Sequence, residues 1–393
     1  MSSDGMIEEL HQRVDRTAVV DLTTRLVETP SVNDPRRGTP SEAAAAQVLA
    51  DALAEVGMTV EFSEEAPGRP NVIARWSSGR TGPTMLMSGH LDTVGVDRYD
   101  DPFVAKQEHG RIYGRGSCDM KGGLAAIVEA CRLVIEREQD VAGDLLVIGT
   151  VDEEEQMIGS KPFVDHGPVA DFAIVAEPTN LVVCPAHKGQ LGLTITTHGR
   201  AVHSSVPHEG VNAIAHMGDV LQALAGYADQ LAARPPHPVC GTPTMSPGVI
   251  GGGDYVSQVP DHCALQIDRR FLAGESLDSL YAEIRAVLDP IGRADPTFSY
   301  TLSEPSTLCQ ALDTPVDHPL VTTAVDAVTG LRGSATVEGL AAATDAPHFG
   351  CPAIICGPGV LAQAHTLDEY VEIDELVEAA AVFAATTLAL LSA

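Results

Sequence analysis

The chain has 393 residues, and 54 acidic side chains against 24 Lys and Arg give it a net charge of −30 at pH 7. This charge opposes binding to nucleic acid or to an anionic membrane surface, because both partners are polyanions. The hydrophobic fraction of 44% is enough for sizeable cores, and the length suits two or three domains. Composition therefore predicts a globular protein that binds neither nucleic acid nor membranes.

The ends of the chain and its cysteines favour a cytoplasmic location. The N-terminal residues contain no apolar run, so no secretory signal is expected. The most hydrophobic stretch, 379–393, is shorter than the ~20 residues that cross a bilayer, and we expect a packed terminal helix there. Eight cysteines without a CxxC pair indicate reduced thiols rather than a disulfide framework or a thiolate zinc site.

The first half of the chain predicts an α/β layer. Residues 16–57 read as helical, with Gly57 in the position of a helix C-cap. Strand and helix patterns then alternate, which is typical of helices packed against a mixed or parallel sheet. Strands are predicted at 58–65, 71–77, 84–90, 110–114, 144–151 and 172–176, and helices at 121–138 and around 159–166.

The pattern changes after about residue 190. A β-α-β-β-α-β order follows, which predicts a compact ferredoxin-like α+β insert. Its strands are expected at 191–199, 248–252, 261–271 and 297–303, and its helices at 210–232 and 276–289. The α/β pattern resumes with a helix at 317–329, a strand at 353–357 and the terminal helix. We therefore predict an α/β domain in two segments, 1–190 and 306–393, interrupted by an inserted domain at 191–305.

Several acidic and His residues follow apolar strands, where an open α/β sheet usually builds its site. His90 ends one strand and could bind a metal, while Asp92 could accept a hydrogen bond from the other ring nitrogen. Asp119 lies in a Gly-rich turn before the helix at 121–138, where a carboxylate can bridge two cations. A phosphate-binding turn is the alternative, but its GxxxxGK[ST] pattern is absent.

The remaining candidates complete a set of oxygen and nitrogen donors. Four consecutive acids, 152–155, follow an apolar strand, Glu177 ends another strand, and His365 precedes the last helix. Acid runs usually form solvated faces, but acids that start at a strand end repel one another unless cations neutralise them. Two His and three or four carboxylates suit a pair of Zn²⁺ or similar ions. Such a pair activates water, and one carboxylate would remain as general base.

In their order, spacing and local sequence, these motifs resemble the M20 family of co-catalytic metallohydrolases, from about residue 20 to 390. The segments at 341–350 and 356–370 most resemble its acetylornithine deacetylase and succinyl-diaminopimelate desuccinylase branch. The resemblance implies a dinuclear amidohydrolase that cleaves an N-acyl amino acid through a metal-bridging hydroxide. Alternatives are a dipeptidase or carboxypeptidase of the same family that releases an amino acid such as glutamate, and a metal-free binding protein on the same fold. Phosphoryl transfer is disfavoured, because a basic phosphate-binding set is missing.

The resemblance also implies roles for individual residues. Glu153 would be the general base, and Asp92 would orient a metal-binding histidine. The peptide bond after the bridging aspartate would be cis. The ions would be Zn²⁺, with Co²⁺ or Mn²⁺ as alternatives that the same donors accept. Five side chains would bind the metals: His90 and Glu177 for one ion, Glu154 and His365 for the other, and Asp119 between them.

The insert resembles the dimerisation domain of the family, which implies a homodimer. His203 matches a histidine that reaches the partner's site and stabilises the oxyanion; a structural His is the alternative. A nucleophilic Ser beside it is disfavoured, because no GxSxG elbow is present. The asparagine expected three residues before Pro260 is replaced by Ser257.

Two further residues are candidates for binding the substrate carboxylate. Arg270 matches an arginine whose two donors fit two carboxylate oxygens, although an ordinary pair with Asp268 is the alternative. Thr344 lies in the segment that resembles the substrate loop of the family, where Ala343 replaces the usual glycine.

Overall fold

A computed structural model describes residues 3–167 and 169–392. The chain forms two compact units. The first contains the residues up to Ala186, together with Asp313–Leu340 and the residues from Thr344 onwards. The second contains His187–Leu312 and Ala341–Ala343.

The α-helices of the described residues are α1 (Ser3–Arg13), α2 (Arg16–Val27), α3 (Ala43–Glu55), α4 (Gly122–Ile135), α5 (Ala213–Ala232), α6 (Leu277–Ala294), α7 (Pro319–Arg332) and α8 (Ile373–Leu390). The helix expected over 16–57 is wrong in its middle, because α2 and α3 are separate. Pro30, Pro35 and Pro40 lie between them and cannot donate the backbone hydrogen bonds that a continuous helix needs.

The first eight strands of the described residues are β1 (Thr59–Ala66), β2 (Arg69–Ser77), β3 (Thr84–His90), β4 (Lys106–Glu108), β5 (Arg111–Tyr113), β6 (Asp144–Thr150), β7 (Phe172–Val175) and β8 (Val183–His187). They are followed by β9 (Gly189–His198), β10 (Thr244–Gly252), β11 (His262–Phe271), β12 (Ser299–Leu302), β13 (Thr307–Cys309), β14 (Leu312–Asp313), β15 (Val337–Leu340), β16 (Ala353–Ile355) and β17 (Tyr370–Glu372). The strands that the sequence did not predict have at most five residues, too few to show a clear alternation.

The first unit is built on a mixed sheet in the order β1-β2-β6-β3-β7-β16-β8-β14, with β15 paired to β8. Its centre is parallel, because β3 pairs in parallel with both β6 and β7, and β7 pairs in parallel with β16. The flanking β1, β2 and β8 run antiparallel to their neighbours. This mixed α/β layer confirms the predicted fold class, and its parallel centre brings three strand ends to one edge.

Helices cover this sheet and supply most of its core. The terminal helix α8 packs against α4 and α7, and 13 of its 18 residues are buried. It is the packed helix that the sequence predicted. No helix among the described residues combines the length and the apolar character that a membrane span requires.

The second unit is an antiparallel sheet with two helices. Its strand order is β10-β11-β9-β12, and β13 also pairs with β9. The helices α5 and α6 contact each other, and their apolar faces share a core with the sheet. This is the strand order of a ferredoxin-like α+β layer. Helix α6 continues past Pro290, where the sequence predicted its end, as far as Ala294.

A buried ion-pair cluster links β2 to the residues before α3. Both Nε and Nη2 of Arg69 donate to the carboxylate of Glu42, and its Nη1 lies 2.8 Å from Oδ1 of Asp152. All three side chains are buried. A cation at this position therefore compensates two acids that would otherwise be desolvated alone.

We expect Arg69→Ala to lower the free energy of unfolding by about 3–5 kcal/mol, because it leaves two buried carboxylates without their partner. Urea unfolding followed by the fluorescence of Trp76 measures this directly, since the chain has one Trp and it lies on the same strand. Arg75→Ala is the matched control: Arg75 is exposed on β2 and 3.7 Å from Glu61, so little change is expected. Equal losses in the two variants would contradict this account.

Candidate active site

The site residues predicted in the first unit meet at the carboxyl edge of the parallel strands. His90 is the last residue of β3, Glu153 and Glu154 follow β6, and Glu177 follows β7. Neighbouring parallel strands end at the same edge, so a short extension of each strand brings its polar side chain to a common place. The positions of these acids are therefore set by the ends of the apolar strands that precede them.

One group of possible metal ligands consists of His90, Asp119 and Glu177. Their donor atoms lie within 4.8 Å of one another, and all three residues are buried. The His90 Nε2 atom is 3.1 Å from Oδ1 of Asp119 and 3.8 Å from Oε1 of Glu177. The three side chains present one nitrogen and two carboxylates to a common point.

A second group consists of Asp119, Glu154 and His365, whose donor atoms also lie within 4.8 Å of one another. The His365 Nε2 atom is 3.1 Å from Oε2 of Glu154 and 3.3 Å from Oδ2 of Asp119. Asp119 therefore faces the two groups with different oxygens, Oδ1 towards His90 and Oδ2 towards His365. One carboxylate that faces two donor groups in this way has the arrangement that a bridging ligand needs.

The turn that carries Asp119 is shaped by buried contacts. The peptide bond between Asp119 and Met120 is cis, as the family resemblance implies. Next to it, the fully buried Lys121 donates through Nζ to the carbonyl oxygens of Leu26 (2.9 Å) and Thr29 (2.8 Å). Burial lowers the pKa of Lys121 to about 7. The turn is thereby fixed to the end of α2.

The charges of the site are unbalanced. Burial raises the pKa of Glu153 and of Glu177 well above the ordinary value, and neighbouring carboxylates add to this against the attraction of His90. Hydrogen bonds to Asp119 and Glu154 raise the pKa of His365 to about 10. Such a cluster either takes up protons or binds cations, and nitrogen and carboxylate donors suit divalent ions such as Zn²⁺. The donor set therefore fits a pair of divalent cations.

Asp92 holds two parts of the site together. The His90 Nδ1 atom lies 2.9 Å from the backbone carbonyl oxygen of Asp92 and 3.5 Å from its carboxylate, so the closer contact is to the backbone and not to the side chain. The Asp92 carboxylate instead accepts the backbone N–H groups of Glu153 (3.1 Å) and Glu154 (3.2 Å). Asp92 thus contacts the loop after β6 as well as the histidine.

Two residues of this network were missed from the sequence. The Asn33 Nδ2 atom donates to Oδ2 of Asp92 and to Oδ1 of Asp152, both at 2.9 Å. Asp152 has a left-handed backbone (φ +66°), and its Oδ2 accepts the backbone N–H groups of Gln156 (3.2 Å) and Ile158 (3.3 Å). Asp152 begins the acid run and could have been suspected, whereas nothing in the sequence around Asn33 indicates its role.

Thr344, in the first unit, lies in a segment that hydrogen bonds hold in place. Its Oγ1 accepts the backbone N–H of Ala346 at 3.2 Å. The next residue, Asp345, accepts a hydrogen bond from Thr150 at the end of β6 (2.7 Å) and another from Ser160. The predicted substrate segment is therefore anchored to the strand that also leads to the acid run.

His203 and Arg270 belong to the second unit. His203 is exposed, and its Nδ1 lies 2.7 Å from the hydroxyl of Ser205. The Arg270 Nε donates to Oδ1 of Asp268 at 2.8 Å, which is the ordinary pair that the sequence left as an alternative. Its role in binding a substrate remains a prediction.

Comparison with known proteins identifies the chain. The sequence profile of the peptidase family M20/M25/M40 matches residues 86–389. The chain belongs to this family. It is 35% identical over 341 residues to an acetylornithine deacetylase of Vibrio atlanticus (strain LGP32), covering 83% of this chain and 86% of that protein. An acetylornithine deacetylase of Proteus mirabilis (strain HI4320) is 34% identical over 366 residues, covering 90% and 92%. Family and relatives together make the chain a metal-dependent amidohydrolase.

Solved structures agree with the fold. The aminopeptidase PepT of Bacillus cereus superposes with a TM-score of 0.77 at 19% identity, covering 96% of this chain and 99% of that one. The YXEP protein of Bacillus subtilis, described as a dinuclear metal-binding peptidase of the M20 family, gives a TM-score of 0.71 at 15% identity and covers 98% and 99%. The predicted resemblance to the M20 family is confirmed.

Proposed function

We propose that the protein hydrolyses the amide bond of an N-acyl amino acid, with N-acetyl-L-ornithine as the first candidate substrate. The observation that carries this proposal is the pair of three-residue donor groups that share Asp119, with the carboxyl group of Glu153 following the same strand end as Glu154. The relatives at about 35% identity, which are named acetylornithine deacetylases, support the choice of substrate.

Five side chains would hold two divalent cations. We propose Zn²⁺, because His nitrogens and Asp or Glu oxygens are among its usual protein ligands. Co²⁺ and Mn²⁺ are the alternatives that the same donors accept. When bound, such a pair polarises the amide carbonyl and makes a water molecule acidic enough to attack near neutral pH. The proposed ligands are His90, Asp119, Glu154, Glu177 and His365.

Glu153 would move the proton in this reaction. Burial raises the pKa of its carboxyl group well above the ordinary value, which brings it closer to the pH at which a general base works best. Glu153 would take the proton of the attacking water as the new C–O bond forms. It would then deliver that proton to the amide nitrogen as the C–N bond breaks, which releases a carboxylate and a free amine. Asp92 would keep Glu153 in place through its backbone N–H.

The second unit would complete the site from a partner subunit in a homodimer. Its edge strand β10 and the following turn expose large apolar side chains, among them Val249, Ile250 and Tyr255, on a sheet edge that is open to pairing. We propose that this edge is the dimer interface. His203 of the partner subunit would then stabilise the oxyanion.

The remaining assignments concern the substrate carboxylate and the compartment. Arg270 and Thr344 would bind the α-carboxylate of the substrate. The Nε of Arg270 pairs with Asp268, which leaves its Nη atoms as the donors to a carboxylate. A cytoplasmic location is supported by the eight cysteines of the sequence, which include no CxxC pair.

We expect Glu153→Gln to lower kcat by ~10²–10⁴-fold, because the amide cannot accept the proton of the attacking water. Both metal ions should stay bound, which elemental analysis of the dialysed variant measures. Glu155→Gln is the matched control, since Glu155 is the exposed last acid of the same run, two residues after Glu153, and should keep full activity. Substantial turnover by Glu153→Gln would remove this residue from the proposed role.

The substrate is tested by amine release from a panel, with added Zn²⁺ or Co²⁺. The panel contains N-acetyl-L-ornithine, other N-acetyl and N-succinyl amino acids, and dipeptides. We expect the highest kcat/KM for N-acetyl-L-ornithine. A higher value for a dipeptide would replace the proposed deacylase with a peptidase of the same family, and a metal-loaded protein that hydrolyses none of them would contradict the proposal.

A further inference from the structure

Glu369 is a fully buried carboxylate that lies outside the two donor groups. It follows His365 by four residues and immediately precedes β17. Its Oε1 accepts the backbone N–H groups of Cys118 and of Asp119, both at 3.0 Å. One oxygen of Glu369 therefore holds the backbone of the residue that faces both donor groups.

The second oxygen of this carboxylate is also bound. Oε2 of Glu369 accepts a hydrogen bond from Nη1 of Arg115 at 2.5 Å, and both side chains are buried. Arg115 precedes Asp119 by four residues, on the same turn. A desolvated carboxylate next to other acids needs such a partner, and the pairing fixes the direction in which the oxygens of Glu369 point.

The backbone of Glu369 makes the same connection, again as a hydrogen-bond acceptor. Its carbonyl oxygen accepts the N–H of Gly114 at 3.0 Å and the hydroxyl of Tyr99 at 3.3 Å. Beyond it, Tyr370 of β17 pairs with Tyr113 of β5. The segment that carries His365 is thus joined to the segment that carries Asp119 through the backbone and carboxylate of Glu369 and through the pairing of β17 with β5.

We infer that Glu369 is a positioning residue, which sets the orientation of Asp119 relative to His365 and thereby the affinity for the pair of cations. This inference rests on the proposed function, because it treats both residues as metal ligands. A carboxylate that accepts two N–H groups of the ligand turn limits how far Asp119 can rotate. Replacing a hydrogen-bond partner of this kind, outside the ligand set, typically weakens metal binding by ~10–100-fold.

The test compares Glu369→Gln with Glu372→Gln. The first variant keeps the size of the side chain but removes the charge that binds Arg115 and the two N–H groups. The control removes a carboxylate three residues later, whose Oε1 lies 2.7 Å from Nε of Arg111. Metal-free proteins are titrated with Zn²⁺ in competition with a chromophoric chelator, and the absorption spectrum of each Co²⁺-loaded protein is recorded.

We expect Glu369→Gln to bind Zn²⁺ ~10–100-fold more weakly than the wild type and to show an altered Co²⁺ spectrum, while Glu372→Gln matches the wild type in both. The melting temperature of each metal-free protein is measured alongside. A residue with a merely structural role would lower that temperature and leave the affinity and spectrum of the folded protein unchanged, and this result would overturn the inference.

Glu369→Asp provides a second variant should Glu369→Gln fail to fold. It retains the charge for Arg115 but is one methylene too short to keep all of its contacts with the turn, so we expect an affinity between those of the wild type and Glu369→Gln. Affinity equal to the wild type in Glu369→Asp would contradict the inference. A wild-type protein that binds fewer than two ions would instead contradict the proposed function, so the two failures are distinguishable.

Discussion

Mutual repulsion among carboxylates at one sheet edge is the constraint that governs the first unit. Asp119, Glu153, Glu154 and Glu177 converge where three parallel strands end; Asp119 and Glu177 are buried, and Glu153 and Glu154 are half-buried. Burial and the neighbouring charges raise the pKa of Glu153 and of Glu177 well above the ordinary value. Such acids must be protonated or neutralised, and divalent cations neutralise several of them at once. The chemistry of the protein follows from this need.

The buried basic side chains nearby do not remove that repulsion, because other groups already engage them. Arg69 is paired with Glu42 and Asp152, and Arg115 is paired with Glu369. Lys121 donates to backbone carbonyl oxygens. These cations stabilise the loops that carry the site, while the donor groups themselves keep an excess of negative charge. Because the basic side chains pair with residues outside the donor groups, buried contacts can hold the acidic cluster in place and leave its negative charge available to cations.

Much of this arrangement could be predicted from the sequence where the signal is local. The apolar runs of β3, β6 and β7 end within one residue of their predicted positions, and the acids after them were identified from that placement together with the family resemblance. The supporting contacts could not be predicted. Asn33 and Asp152 are 119 residues apart, so no spacing rule connects them. Short strands such as β17 form through pairing with distant strands, which an alternating pattern does not reveal. The break between α2 and α3 depends on prolines, which a count of helix-forming residues overlooks.

The central claim is that the two donor groups sharing Asp119 hold two neighbouring cations. X-ray absorption spectroscopy of the protein loaded with two equivalents of Zn²⁺ tests it most directly, because it detects one metal ion next to another. The account predicts a metal–metal separation of ~3.5–4 Å in the wild type, lost in Asp119→Ala. Two bound ions without such a separation, or a separation that survives in Asp119→Ala, would contradict it.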